Sequence, residues 1–216
     1  MPGFDYIAVE GAPASGKTLL AAFLAEKLKA RPALEDLQGN SFLAEFYRNP
    51  PRYSFSTQIY FLVTRYQELK QLAEPDMFAK KNVSDFTFSK DKVYARLNLN
   101  QRELALYQNL SKMMESEIPK PDLIIYLQVS AAVAQKRLGE RDKKQELYSN
   151  KLYLQSLCKA FDQYFFNYNE TPLLIVKANQ LDFANKKSDL ELILTELSKP
   201  VAGTRYFDPA PLQTLL

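Results

Sequence analysis

A run of eight residues near the start of the chain has the types and spacing of a phosphate-binding loop. It matches the pattern G-x-x-x-x-G-K-[ST] at every fixed position, with an apolar run before it and a helical pattern after it. Backbone N–H groups of such a loop, and the positive end of the following helix, bind phosphate oxygens. Lys17 would reach the β- and γ-phosphates, and the Thr18 hydroxyl would bind Mg²⁺. The predicted nucleotide-binding residues are Gly11, Ala12, Pro13, Ala14, Ser15, Gly16, Lys17 and Thr18.

The residues after the loop favour a kinase over a molecular switch or a mechanical ATPase. The chain has no N-K-x-D motif for reading guanine, and its aliphatic run at 123–129 ends in Gln-Val instead of paired acids. A charged break at 139–144 lies between two predicted helices and is typical of a lid, which we place at about 138–148, although a solvated basic loop would have the same composition. A basic lid would supply the positioning and charge that phosphoryl transfer needs. The cations in and next to this segment are Lys136, Arg137, Arg141, Lys143 and Lys144.

Strand and helix patterns alternate along the chain, which predicts an α/β fold. We expect a doubly wound, five-stranded parallel sheet of the P-loop NTPase type, with helices on both faces. Continuous apolar runs are typical of strands that are buried on both faces of such a sheet. The predicted strands are residues 6–9, 33–37, 82–86, 123–129 and 173–176. The predicted helices are residues 18–28, 42–47, 54–72, 101–114, 131–138, 149–168 and 189–197.

Length and composition restrict the class of protein. The 216 residues suffice for one domain, predicted over 1–200, with a C-terminal extension at 201–216. A net charge of +3 does not by itself indicate nucleic-acid binding, and the absence of histidine excludes His-based catalysis and His metal sites. Cys158 is the only cysteine, which favours a reducing compartment. No signal peptide or membrane-spanning run is visible, so we expect a cytoplasmic location and no membrane or nucleic-acid partner.

Three further polar residues could act beside the phosphate-binding loop. Glu35 lies near the end of a predicted strand, and parallel sheets bind ligands at the carboxyl ends of their strands. A carboxylate there can accept a proton from a hydroxyl group, although a helix N-cap or a loop acid would look the same. Gln58 and Arg65 are seven residues apart and therefore share one helical face. They form either the wall of a base pocket or the polar surface of an amphipathic helix.

Several motifs resemble those of the deoxynucleoside kinase family at the family's spacing. Residues 33–36 read Ala-Leu-Glu-Asp, and residues 40–47 read Asn-Ser-Phe-Leu-Ala-Glu-Phe-Tyr, similar to a bacterial N-P-F-L-x-x-F-Y segment. Gln58 follows eleven residues after that segment, and Arg65 seven residues later. The sequence R-x-x-x-R-x-K-x-x-E at 137–146 is similar to the family's R-x-x-x-R-x-R-x-x-E. The resemblance covers about residues 6–183 and is greatest to the short bacterial members.

The resemblance implies a reaction and the residues that carry it out. The γ-phosphate of ATP would pass to the 5′-hydroxyl of a deoxynucleoside in the presence of Mg²⁺, as a step of nucleotide salvage. Glu35 would be the catalytic base, and Lys17, Arg137 and Arg141 would stabilise the transferring phosphoryl group. A homodimer is also expected.

The resemblance also implies how the deoxynucleoside is bound. Tyr47 and Glu146 would hold the 3′-hydroxyl of the sugar, and Gln58, Arg65 and Asp91 would contact the base. Arginine donors match the acceptors of a purine, whereas thymine presents a methyl group and one carbonyl at the corresponding edge. We therefore expect purine deoxynucleosides to be preferred, with deoxycytidine as a further candidate and thymidine as a poor substrate.

The chain departs from the family pattern at three positions. Phe86 stands where animal relatives carry the arginine of an E-R-S motif, so that positive charge must come from elsewhere or be dispensable. Asp85, next to it, could still bind Mg²⁺ together with Thr18. Lys143 replaces the second lid arginine with a point charge. A one-residue gap leaves the register of Asp91 open, and with it the choice between adenine and guanine.

Two other functions are compatible with the sequence. A nucleoside monophosphate kinase would keep the fold but would need an extra arginine near Tyr47 for the acceptor phosphate, which Arg48 or Arg52 could provide. A nucleotide-binding regulatory protein without turnover would keep the phosphate-binding loop alone. Release of ADP only when a nucleoside is added would distinguish the three.

Overall fold

Short strands at the centre of the molecule form a single parallel sheet. The computed structural model describes residues 4–37, 39–74, 79–141 and 150–209. In these ranges the strands are β1 (Tyr6–Gly11), β2 (Arg31–Ala33), β3 (Asn82–Ser84), β4 (Leu123–Gln128), β5 (Leu173–Lys177) and β6 (Thr204–Phe207). All neighbouring pairs are parallel, in the order β2-β3-β1-β4-β5-β6.

Helices connect the strands and cover the sheet. In the described ranges they are α1 (Lys17–Leu28), α2 (Leu43–Arg48), α3 (Pro50–Leu72), α4 (Lys90–Asn98), α5 (Gln101–Glu115), α6 (Ala131–Arg141), α7 (Lys151–Phe166) and α8 (Lys187–Glu196). α1 contacts α8, with an ion pair of 3.1 Å between Lys27 and Glu191. α4 contacts α3, α5 and α7, and these helices form a second packed group.

The core lies along β1 and β4, the central strands. Every residue of β1 is buried, as is every residue of β4 except the last, because helices pack over both faces of a parallel sheet. Tyr126 of β4 stacks on Phe165 of α7 with ring centroids 4.4 Å apart, and its hydroxyl donates to Asp162 at 2.7 Å. Cys158, also on α7, is a free thiol that is buried in the way a small apolar side chain would be. These contacts attach α7 to the sheet.

The predicted α/β fold with a parallel sheet is confirmed, but the sheet has six strands instead of five. The additional strand, β6, pairs with β5 and lies in the segment predicted as a C-terminal extension. The bounds predicted for the second strand, 33–37, are wrong because the chain pairs earlier, at Arg31–Ala33. β2 is an edge strand, so it tolerates Pro32, which cannot donate to a neighbouring strand. The domain boundary at residue 200 stays a prediction.

The helices differ from prediction mainly around the site. α4 is absent from the predicted set, and α6 continues to Arg141, four residues into the predicted lid. The remainder of the predicted lid lies outside the described residues. Within the described ranges, every helix is too short or too polar to cross a lipid bilayer.

Candidate active site

The phosphate-binding loop leaves the end of β1 and turns sharply into α1. Ala14, with φ of 59°, and Gly16, with φ of 96°, have left-handed backbone conformations. A Cβ atom at Gly16 would lie 2.6 Å from the ring of Phe183, so a larger residue does not fit. The Ser15 hydroxyl is buried and has no hydrogen-bond partner among the described residues. With α1 starting at Lys17, this geometry fits the binding of phosphate oxygens.

One cavity beside the loop is lined by most of the predicted site residues. It lies where β1, β2 and β3 end, which is where parallel sheets bind ligands. Helices α2, α3 and α4 provide its other walls. The predicted site residues that line it are Pro13, Ala14, Lys17, Thr18, Glu35, Tyr47, Gln58, Arg65 and Asp91.

Glu35 lies in this cavity between two cations. Its Oε1 accepts from Nε of Arg65 at 2.9 Å and also from Nη2 of the same guanidinium. Its Oε2 accepts from Nζ of Lys90 at 2.5 Å. Burial would raise the pKa of Glu35, but Arg65, Lys90 and Lys17 outweigh it and hold this pKa well below its usual range. The carboxylate is therefore ionised and can accept a proton.

Lys17 is the third cation of the cavity. Burial and the positive charge of Lys90 lower the pKa of Lys17, while Glu35, Asp85 and Glu10 oppose this effect. Two ammonium groups that repel each other in a buried site are stabilised by an anion that binds between them. The charge of the cavity is thus arranged to receive a phosphoryl group.

A second cluster lies on the α3–α4 side of the cavity. Gln58 donates from Nε2 to Oδ1 of Asp91 at 3.0 Å, and Nη1 of Arg65 forms an ion pair with the same carboxylate. Oδ2 of Asp91 is buried and has no hydrogen-bond partner among the described residues. The guanidinium of Arg65 also lies 4.6 Å from the ring centroid of Phe61. The three predicted base-contacting residues therefore form one network in which Asp91 pairs with Arg65, and their contact with a base stays a prediction.

Thr18 and Asp85 form a pair that could bind a metal ion. The Thr18 hydroxyl donates to Oδ2 of Asp85, and the backbone N–H of Glu35 donates to Oδ1 of Asp85 at 2.8 Å. In the described ranges there is no group of three or more acidic or cysteine side chains suited to hold a metal. Mg²⁺ needs no such cage, because it keeps several waters and takes one or two carboxylates plus substrate phosphates. A hydroxyl and a carboxylate beside a phosphate-binding loop fit this requirement.

Tyr47 lies at the mouth of the cavity on α2, with its ring edge-on to Phe46 at 4.8 Å between centroids. Its predicted role at the sugar stays a prediction. Glu146, its predicted partner there, lies outside the described residues.

The predicted lid arginines are located in part. Arg137 of α6 lies behind the phosphate-binding loop, and its guanidinium donates to the carbonyls of Ala14 and Ser15, each at 3.3 Å. It also donates to the carbonyls of Ala178 at 2.7 Å and Leu181 at 2.6 Å. In this arrangement Arg137 joins the loop to the segment after β5. The side chain of Arg141 lies outside the described residues, and a catalytic role for either arginine stays a prediction.

Sequence reasoning missed three residues of the site. Glu10 is fully buried, and its Oε1 accepts from the backbone N–H and the hydroxyl of Thr87 at 2.6 and 2.8 Å. Burial raises the pKa of Glu10, against the influence of Lys90 and Thr87. A signal for Glu10 was available, because a carboxylate interrupts the apolar run of β1. Lys90 and Thr87 carry no comparable signal in a polar segment.

Known relatives resemble this chain over nearly its whole length. Deoxyguanosine kinase of Bacillus subtilis is 28% identical over 201 residues, which cover 90% of this chain and 96% of the relative. Deoxyadenosine kinase of Dictyostelium discoideum is 30% identical over 201 residues, which cover 88% of this chain and 78% of the relative.

A solved structure and a family model agree with these relatives. The structure of deoxyadenosine kinase from M. mycoides, with the products dCMP and a flexible dCDP bound, superposes with a TM-score of 0.77 and is 26% identical. The superposition covers 89% of this chain and 98% of that chain. The family model described as "Deoxynucleoside kinase" matches residues 7–202. Since this match spans the sheet from β1 to β5 and the cavity beside it, the chain belongs to the deoxynucleoside kinase family.

Proposed function

We propose that the protein transfers the γ-phosphoryl group of ATP to the 5′-hydroxyl of a purine deoxynucleoside. The observation that carries the proposal is a single cavity in which an ionised Glu35 lies between the phosphate-binding loop and the Gln58–Arg65–Asp91 network. One end of this cavity is suited to phosphates and the other to a nucleobase. Membership of the deoxynucleoside kinase family supports the same reaction.

The reaction follows from the positions of these groups. The 5′-oxygen of the deoxynucleoside forms a bond to the γ-phosphorus as the bond from that phosphorus to the β–γ bridging oxygen breaks. Glu35 accepts the proton of the hydroxyl, which becomes acidic as its oxygen bonds to phosphorus, and the proton then passes to solvent. Lys17 stabilises the charge on the transferring group. Mg²⁺, held by Thr18 and Asp85, would neutralise charge on the β- and γ-phosphates.

The polar network supports selection of a base that carries an amino group. Among the described residues, Oδ2 of Asp91 is a buried acceptor without a partner, and leaving such an atom unpaired costs about 1–3 kcal/mol. Adenine, guanine and cytosine have an exocyclic amino group that can donate to it, whereas thymine has none. Arg65 matches purine acceptors. The proposal is therefore a preference for purine deoxynucleosides, with deoxycytidine accepted and thymidine poor.

The proposal also includes roles for residues that lie outside the reaction centre, some of them outside the described residues. Tyr47 and Glu146 would hold the 3′-hydroxyl, and Arg137 and Arg141 would add positive charge near the phosphates of ATP. A homodimer and a cytoplasmic location are also proposed, and the single buried, unpaired Cys158 is consistent with a reducing compartment.

A nucleoside monophosphate kinase is less well supported. An acceptor that carries a phosphate needs an extra cation in the cavity, yet neither Arg48 nor Arg52 lines it. Arg48 pairs with Glu45 at 3.8 Å, and Arg52 lies over the ring of Tyr53 at 5.4 Å from its centroid. The geometry therefore favours an uncharged acceptor.

A panel of acceptors tests the proposal. ATP with Mg²⁺ is incubated with each of the four deoxynucleosides and each of the four deoxynucleoside monophosphates, and ADP release is measured. We expect release with deoxyadenosine or deoxyguanosine and background rates with the monophosphates. Release only with monophosphates would establish the other kinase class, and the absence of ADP release with every acceptor would leave a nucleotide-binding protein without turnover.

A further inference from the structure

Lys90 is a buried cation at the reaction centre. It is the first residue of α4, its exposed fraction is 2%, and its ammonium contacts Oε2 of Glu35 at 2.5 Å. Its backbone N–H donates to Oγ1 of Thr87 at 3.2 Å, and Thr87 in turn donates twice to the buried Glu10. The lysine therefore extends into the cavity from a backbone position that is held by the core of the sheet.

The site has a specific need for this charge. Phe86 stands where animal relatives carry an arginine, and it is fully buried among apolar residues. Lys90, four residues later, brings a cation to Glu35 instead. Burying an ammonium is unfavourable unless it is well paired, so a lysine here needs a partner of opposite charge. The paired carboxylate is the proposed catalytic base.

Lys90 and Arg65 differ in the carboxylates that they contact. The guanidinium of Arg65 is divided between Glu35 and Asp91. Among the described residues, the side chain of Lys90 donates to Glu35 alone.

We propose that Lys90 is the positioning residue for the catalytic base: its ammonium holds the carboxylate of Glu35 where it meets the 5′-hydroxyl. The inference rests on the proposed function. Lys90 itself forms and breaks no bond; the proton of the hydroxyl goes to Glu35, and the leaving group is ADP.

A double-mutant cycle tests whether Lys90 acts through Glu35. The variants are Lys90→Met, Lys90→Arg, Glu35→Gln and the double variant Glu35→Gln/Lys90→Met. We expect Lys90→Met to lower kcat by about 10²-fold while KM for ATP and for the deoxynucleoside changes less than about threefold. Lys90→Arg should recover at least about tenfold of the lost kcat. In the Glu35→Gln background, Lys90→Met should lower kcat by less than about threefold further, because no carboxylate remains to be positioned.

Lys92→Met is the matched control. Lys92 lies on the same helix and pairs with Glu115 at 2.6 Å, at a half-buried site outside the cavity. The same substitution there removes an α4 ion pair without touching the site, so kcat should stay within about twofold of the parent.

The double-mutant cycle has results that would contradict the inference. A folded Lys90→Met protein with kcat within about threefold of the parent would overturn it, as would losses that add fully in the double variant. If Lys90→Met does not fold, the double variant, which removes both buried charges, is compared with Glu35→Gln. A further loss of about 10²-fold in that comparison would also overturn it. A parent protein that phosphorylates no deoxynucleoside would contradict the proposed function itself, and the inference with it.

Discussion

Replacing Glu35 with Gln tests the assignment of the catalytic base. The change keeps the size of the side chain and one oxygen acceptor, but it removes the group that accepts the proton of the 5′-hydroxyl. General-base catalysis contributes about 10²–10⁴-fold, equivalent to about 3–5 kcal/mol of the activation barrier. We expect kcat to fall by at least about 10²-fold, with KM for the deoxynucleoside nearly unchanged, because the loss occurs in the transition state.

The same substitution changes how stability depends on pH. The pKa of Glu35 is depressed in the folded protein because Arg65, Lys90 and Lys17 outweigh the effect of burial. A depressed folded pKa gives stability that is present above the unfolded value of about 4.3 and is lost as the pH falls below it. Removing the carboxylate deprives two buried cations of a partner and costs up to about 3–5 kcal/mol at neutral pH. The difference in stability between parent and Glu35→Gln should therefore shrink as the pH falls from 5 to about 3.

ADP release at saturating ATP and Mg²⁺ measures the kinetic effect, and thermal unfolding between about pH 3 and pH 7 measures the stability effect. Glu117→Gln is the control, because Glu117 forms an exposed pair with Lys70 at 2.7 Å away from the cavity. A Glu35→Gln protein that keeps kcat within about threefold of the parent would refute the assignment. If it loses deoxynucleoside binding but keeps kcat, Glu35 is a recognition residue instead.

Three further substitutions probe the remaining parts of the site. Lys17→Ala should lower kcat at least ~10²-fold with the fold intact by circular dichroism, and near-normal turnover would contradict the assignment of the phosphate-binding loop. Asp85→Asn should raise the Mg²⁺ concentration for half-maximal activity by about tenfold or more in a metal titration; an unchanged titration would place the metal elsewhere. In the parent, thymidine should have the lowest kcat/KM of the four deoxynucleosides, and Arg65→Met should shift that ranking by about ten- to a hundredfold. Thymidine ranking first, or a ranking that Arg65→Met leaves unmoved, would exclude the proposed base contacts.

Sequence patterns predicted the centre of the sheet better than its edges. The aliphatic run that becomes β4 is apolar at nearly every position, as burial on both faces requires, so its strand character is visible locally. β6 is short and alternates between exposed and half-buried residues, and its pairing depends on the free edge of β5. Nothing within Thr204–Phe207 specifies that edge. The predicted bounds of β2 were wrong for a related reason, because pairing with β3 determines where this edge strand ends.

The phosphate-binding loop could be predicted because its ligating groups are contiguous. The loop places its own backbone N–H groups and Lys17 within eight residues, so spacing alone specifies the geometry. Lys90 could not be found in this way, since its partner Glu35 is 55 residues earlier in the chain. Its helix α4 begins with two charged residues that are buried. In a sequence, charged residues at the start of a helix indicate exposure to solvent, and only the tertiary contacts show otherwise.

Under the proposed function, the geometry of Arg65 would link recognition of the base to the chemistry at the 5′-hydroxyl. Its guanidinium donates to Glu35 through Nε and Nη2 and pairs with Asp91 through Nη1. Because a guanidinium is planar and rigid, the two carboxylates hold fixed positions relative to each other. A base that donates to Oδ2 of Asp91 completes this network, whereas one that cannot leaves a buried acceptor unpaired at a cost of about 1–3 kcal/mol. Any shift of Arg65 that relieves this cost would also move its contact with Glu35, so under the proposed function we expect a mismatched base to lower kcat as well as affinity.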